Sequence, residues 1–343
     1  MSCHADVHSK SKTKTQKTEA LLRIVEKNVN AIDIHPFASF LTTLNVLFAV
    51  LPSYVQARAN DPEFVMEFNV FAWDTLDPPT KQSTQPSLFA RMNARSQRGE
   101  HDYERYRTVM DERFDRVLGN PPWGGVLKGS LAPVYDVARK KTFKKLYESA
   151  AQGKYDVYAL FMERSLDLLR AGGSFALITQ ATWIEKDWAA GLRALLASES
   201  TIDWIVDLNP FVQLFFKAMN APCITVVQAG TPANGHRVGA ILSAKPKHLS
   251  EKKREQRQLG VAATLREVAA ALPHSTSSVT RDFATGVLVD QDILRAEARG
   301  RWNLARNPNK KVASTHWHSA GELLEVRQGV TPGNALAARG ESR

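Results

Sequence analysis

The chain has 343 residues, 43% hydrophobic and 23% charged, with a formal net charge of +10. That suffices for one large core or two modest ones, and the composition is ordinary for a soluble globular protein. Its two cysteines, Cys3 and Cys223, form no CxxC pair, which excludes a disulfide framework and leads to the expectation of a reducing, cytoplasmic compartment.

The charge is localised. Residues 91–145 carry 13 Lys and Arg against 7 Asp and Glu, residues 245–258 carry 6 against 2, and residues 1–17 carry 4 Lys against Asp6. A near-neutral core with basic insertions fits a polyanion better than a membrane. Residues 1–18 are polar, lysine-rich and expected to be disordered, and they do not resemble a signal peptide. A helix is expected over residues 19–28, followed by a short buried strand, 31–34, that ends in a carboxylate. Pro36 suits the first turn of the next helix, where Phe37, Phe40, Leu41, Leu44, Leu47 and Phe48 recur at helical spacing. The apolar run 37–51 is expected to be a buried helix, too short to cross a bilayer and ended or kinked by Pro52. Met66, Phe68, Val70 and Ala72 alternate like a strand, with Asp74 just past its end. A charged helical insertion is expected over residues 86–112.

Residues 114–119 read as a short strand that runs into Asn120-Pro121-Pro122-Trp123. Adjacent prolines cannot continue a ladder, since neither has an N–H and both fix φ near −65°. The strand therefore ends in a stiff extended step, bracketed by an amide and an aromatic face. Such a step offers two acceptors to one amino group and a ring to stack on its plane, which is the requirement for holding a flipped-out base. The plainer alternative is a turn with Asn120 capping it and Trp123 in the core.

Further on, a helix over residues 156–170 is expected to stop at Gly172-Gly173. A strand is expected over 175–179, a helix over 184–198 and a strand over 202–208. Two more strands, 224–227 and 238–242, read as an antiparallel pair. The alternation argues an α/β fold with a doubly wound, Rossmann-like sheet and a terminal antiparallel hairpin. Ligands of such sheets sit at the carboxyl ends of the strands. Asp33, Asp74 and the Asn120 step all fall there. Asp33 suits the ribose hydroxyls of a nucleoside cofactor and Asp74 its adenine amino group, although strand-end carboxylates also cap helices.

Several stretches recur in order: 31–38, 73–76, 119–123, 156–161 and 172–179. They resemble the TaqI-like, gamma-class N6-adenine DNA methyltransferases, including fused restriction-modification enzymes. The resemblance covers roughly residues 19–245, and its most specific part is the Asn-Pro-Pro-aromatic step. It implies S-adenosylmethionine as methyl donor, with Asp33, Ile34 and Asp74 on the cofactor. Asn120, Pro121, Pro122 and Trp123 would hold the target adenine, stacked from the other side by Phe216 or Phe215. Duplex DNA is the implied partner, and Lys128, Arg139, Lys140, Lys141, Lys144 and Lys145 are candidates for its phosphates. No metal is implied.

The family's first strand and glycine-rich loop should precede residue 19, where this chain has its polar tail. The chain therefore reads as a fragment truncated at both ends, with a missing amino-terminal segment or a separate recognition subunit as a further partner. The expected division is a tail at 1–18, the catalytic domain at 19–245, a connecting helical segment at 246–300 and the start of a target-recognition domain at 301–343. Two other readings compete: a protein-glutamine or RNA-guanine methyltransferase of similar fold, and an inactive DNA-binding remnant.

Overall fold

The computed structural model describes residues 14–77, 97–124, 137–215, 221–244, 253–276 and 278–304. Helix α1 (Lys14–Asn28) leads into β1 (Asn30–Asp33), α2 (Pro36–Asn60) and β2 (Asn69–Ala72). The two strands pair in parallel with Ile32 opposite Phe71. Leu22 of α1 packs with Val50, Ala57, Phe64 and Met66 in a small buried cluster. The helix at 14–18 replaces the disorder expected for that part of the tail; the rest of the tail lies outside the described residues.

Helix α2 departs from its expected form twice. It runs through Pro52 to Asn60, so the helix is longer than the apolar run 37–51 suggested. At 25 residues, with a mean hydropathy of 1.5 over its most apolar stretch, it is long and apolar enough by those measures to cross a membrane. Nor is it buried: Phe37, Phe40 and Phe48 are 61%, 56% and 63% exposed. Apolar residues at i, i+3 and i+4 make a stripe wider than two short strands and one helix can cover.

Next come α3 (Gln97–Asp111), β3 (Phe114–Gly119), α4 (Val137–Leu146), α5 (Val157–Leu168) and β4 (Leu169–Gln180). Strands β3 and β4 pair in parallel. Helix α5 ends before the glycine pair expected to stop it, and both glycines lie inside β4. A Cβ on Gly173 would stand 2.7 Å from the Phe114 carbonyl oxygen. That position is glycine because β3 passes too close for a side chain.

Two 3₁₀ turns at 181–184 and 187–189 precede α6 (Ala190–Glu199), and β5 (Ser200–Asp207) follows. After α7 (Val212–Phe215) come β6 (Pro222–Ala229) and β7 (Arg237–Ser243). These two are not the hairpin expected from their spacing. β6 runs antiparallel between β4 and β5, while β7 lies parallel on the other edge of β5. The terminal hairpin is instead β8 (Val279–Arg281) with β9 (Ala284–Asp290), and β9 pairs with β7. The seven-stranded order is β3-β4-β6-β5-β7-β9-β8.

The described residues within 246–300, expected to be a connecting helical segment, include strands as well as helices. They supply α8 (Arg254–Ala271), α9 (Gln291–Ala296) and two strands of the sheet, within one compact unit. Trp302 belongs there too, 4% exposed, with its Nε1 donating to the Leu294 carbonyl at 2.8 Å. Residues 305–343 lie outside the described ones. The main core holds Tyr158, Leu160, Phe175, Leu192, Ile202 and Val227. Into it runs Arg193, fully buried, donating to the carbonyls of Ala298, Trp183 and Lys186 at 2.9, 2.6 and 2.8 Å.

The α/β class and the parallel strand-helix-strand units are as expected, but the sheet is divided. Strands β1 and β2 form a sheet of their own. The outer edges of β1 and β3 border one cleft.

Candidate active site

That cleft is a cavity of about 410 Å³, lined by β1, β3, the segments that leave β1, β2 and β3, and one side of α5. It gathers Asp33, Ile34, Asp74, Asn120, Pro121 and Pro122 from three strand ends. Trp123, Phe215 and Arg139 are not in its lining.

Asp33 ends β1. Its Oδ1 accepts the His35 amide at 2.7 Å, and its own carbonyl accepts the Trp73 amide at 3.0 Å. This ties the exit of β1 to that of β2, and the His35 ring in turn accepts the Phe37 amide at 3.2 Å to cap α2. Asp33 is exposed. Asp74, just after β2, is only 2% exposed. Its Oδ1 accepts the Leu76 amide at 2.9 Å, and its Oδ2 accepts from Arg139 at 2.9 Å. Burial pushes the Asp74 carboxyl above its ordinary range, opposed by the Arg139 charge and the hydrogen bonds from Leu76 and Arg139.

Asn120 is exposed at the end of β3, whereas Pro121 is buried. The step is set by Gly119, whose missing side chain leaves room for Leu177, and by the Gly124 carbonyl, which accepts the Val157 amide at 3.0 Å. The amide side chain and the Pro121 backbone thus sit at the rim of the cleft. Trp123 is half-buried, packs on the main core and donates from Nε1 to the Ile178 carbonyl at 3.4 Å. Phe215 packs against the cluster of Val206, Phe211 and Ile241. Phe216 and Lys128 lie outside the described residues.

The basic candidates divide. Lys141, Lys144 and Lys145 are exposed on α4 and Lys140 is half-buried. Arg139 bridges Asp74 at 2.9 Å and Asp77 at 3.2 Å. Sequence reasoning missed this cluster, because Arg139 lies more than sixty residues from both carboxylates. It also missed Phe161, Ser165 and Leu168, which line the cleft from α5; their i, i+4, i+7 spacing was a signal that they share a face. Among the described residues no group of three or more His, Cys, Asp or Glu side chains could hold a metal ion.

The strand ends of the two sheets bring two carboxylates and an amide into one crevice, the place where open α/β sheets hold their ligands. Residues 27–215 match the family model described as Eco57I restriction-modification methylase, and the chain belongs to that family. It is 41% identical over 88 residues to the type II methyltransferase M.TthHB8I of Thermus thermophilus, covering 26% of this chain and 21% of that one. To M.XhoI of Xanthomonas vasicola it is 34% identical over 125 residues, covering 36% and 21%. The chain thus spans about a fifth of the length of these curated relatives. Among solved structures, the ATP-dependent type ISP restriction-modification enzyme LlaBIII bound to DNA matches at a TM-score of 0.48 and 16% identity, over 66% of this chain and 16% of that one.

Proposed function

We propose that this chain is the catalytic part of a DNA methyltransferase of a restriction-modification system, acting on adenine N6 in duplex DNA by flipping the base. The observation that carries this reading is the convergence of Asn120, Pro121 and Pro122 with Asp33 and Asp74 on one cleft. S-adenosylmethionine, when bound, supplies an electrophilic methyl group. The residues present fit its nucleoside part: an exposed carboxylate for the ribose hydroxyls at Asp33, a buried one for an amino group at Asp74, and a cavity of ordinary ligand size.

The protein's share of the chemistry is orientation and hydrogen bonding. Adenine N6 is a poor nucleophile because its lone pair is delocalised into the ring. In this reading the Asn120 side-chain oxygen and the Pro121 carbonyl accept both N6 protons and favour the geometry in which that lone pair localises. Trp123, half-committed to the core, offers a rigid aromatic edge at the same step. The exposed lysines of α4 supply a sequence-independent attraction to phosphates. They also favour a nucleic acid over a protein substrate carrying the same kind of planar amine.

The test is Asn120→Ala in the whole enzyme. Methyl transfer to duplex DNA is expected to fall by at least about two orders of magnitude, the size of a forfeited transition-state hydrogen bond, with DNA binding nearly unchanged. Wild-type turnover in that variant removes Asn120 from the chemistry.

A further inference from the structure

We propose that Arg139 is a positioning residue of the nucleoside site and not a DNA-phosphate contact: its guanidinium is the fixed counter-charge that keeps the Asp74 carboxylate ionised at the wall of the cleft. The inference rests on the reading of Asp74 as a ligand-binding group and deepens it.

Arg139 leaves the first turn of α4 in a different manner from the lysines that follow. Its Nη2 donates to Asp74 Oδ2 at 2.9 Å and its Nη1 reaches Asp77 Oδ2 at 3.2 Å. The guanidinium carbon stands 5.4 Å from the centroid of the fully buried Phe143 ring, one turn along the same helix. An arginine fixed by two carboxylates and a ring face has its planar fork committed. Lys141, Lys144 and Lys145 of the same helix are exposed, so α4 carries its polyanion-facing charge elsewhere.

Asp74 lines the cleft while being almost wholly out of water. A carboxylate there accepts N–H groups from a ligand; a protonated carboxyl presents a donor instead, and an amino-bearing ligand loses its acceptor. Burial and the neighbouring Asp77 both favour the proton. Other described polar groups stand around the cluster. Tyr106 on α3 and Tyr147 after α4 are buried phenols with their own pKa values driven up, chiefly by burial. Arg164 on α5 donates to the Thr75 carbonyl at 3.1 Å, and the Asp33 carbonyl on neighbouring β1 accepts the amide of Trp73, the residue before Asp74. Among the described residues, Arg139 is a cation in direct contact with Asp74, and it approaches through the oxygen other than the one that accepts the Leu76 amide.

The experiment uses adenosine as the probe, because saturation-transfer NMR reads binding even at millimolar affinity. Wild type, Arg139→Gln and Arg139→Lys are compared between pH 5.5 and 8.5, with duplex DNA binding measured in parallel against salt. Wild type is expected to bind adenosine with little pH dependence over the neutral range. Arg139→Gln is expected to bind about tenfold more weakly near pH 6 and to recover as the pH rises, the sign for a carboxylate deprived of its counter-charge. Arg139→Lys is expected to restore the flat profile, which a merely structural role does not require. The salt slope for DNA is expected to match wild type in Arg139→Gln.

An unchanged adenosine pH profile in Arg139→Gln overturns the inference. So does a DNA salt slope lowered by about one unit, the mark of a phosphate left without its cation. Wild type that binds no adenosine at any pH instead overturns the reading of the nucleoside site. In that case, or if Arg139→Gln does not fold, the ¹³C titration of the Asp74 carboxyl in wild type and Arg139→Lys decides. An ionised group at pH 7 in both supports the inference, and a protonated one in wild type overturns it.

Discussion

Glu163 illustrates what a single buried charge does in this domain. It lies on α5, accepting the Ala150 amide at 2.7 Å and the Ser149 amide at 3.4 Å. Burial is the largest influence on it and holds its pKa above the usual value, against those hydrogen bonds. The folded chain therefore binds this proton more readily than the unfolded chain. Stability falls as the pH rises from the unfolded carboxylate range, near 4.3, through the raised value. Glu163→Gln keeps an acceptor without the charge, so its denaturant midpoint is expected to exceed that of wild type at pH 7. The difference should shrink toward pH 4; an equal gap at both pH values removes Glu163 as the cause. At this scale the sequence revealed the strand-end groups Asp33, Asp74 and Asn120, because each stands where a strand must stop. It could not reveal the Arg139–Asp74 contact, which depends on α4 folding back over the exit of β2.

At the scale of elements, α4 is the clearest candidate for a surface that meets DNA. Three of its lysines, Lys141, Lys144 and Lys145, are exposed together, while Phe143 anchors the helix to the core. Replacing these three by alanine is expected to weaken duplex binding irrespective of sequence and to flatten its salt dependence, by roughly one unit of slope for each phosphate no longer neutralised. Titrations at several salt concentrations check this, and an unmoved slope makes the lysines an ordinary solvated face. Elements set by local pattern were legible: β1, β3, α5 and β5 lie within a few residues of where periodicity and breakers put them. The position of β6 was not, because its insertion between β4 and β5 is decided by pairing with strands far off in sequence. Helix α2 was read correctly as a helix and wrongly as buried, since periodicity reports an apolar stripe and not what covers it.

At the scale of the whole molecule, the divided sheet decides what residues 1–343 can do alone. The cleft is walled by the β1 edge on one side and the β3 edge on the other. Leu118 of β3 is 70% exposed, and Asn30 Oδ1 of β1 is buried without a partner. A ligand held by Asp33 and Asp74 gains hydrogen bonds worth roughly a few kcal/mol, whereas micromolar affinity needs about 8 kcal/mol. The isolated chain is therefore expected to bind S-adenosylmethionine no tighter than about millimolar. Affinity and methyl transfer are both expected to rise when a polypeptide strand is supplied between β1 and β3. Calorimetric titration of the purified chain is the check, and a micromolar dissociation constant defeats the argument.

Arg193 has a bearing on how the protein can be divided in the laboratory. Its guanidinium holds carbonyls at Trp183, Lys186 and Ala298, and Trp302 closes over the same region through the Ile184 carbonyl and the Trp183 ring. The last dozen described residues are therefore the plug of the compact unit and not its leash. A shortened version that stops after β7, at the limit the motifs alone would suggest, takes the Ala298 acceptor from Arg193, removes the Trp302 cover and opens the edge of β7 that β9 covers. The smallest portion worth purifying extends past Trp302, and any fusion partner belongs beyond that point.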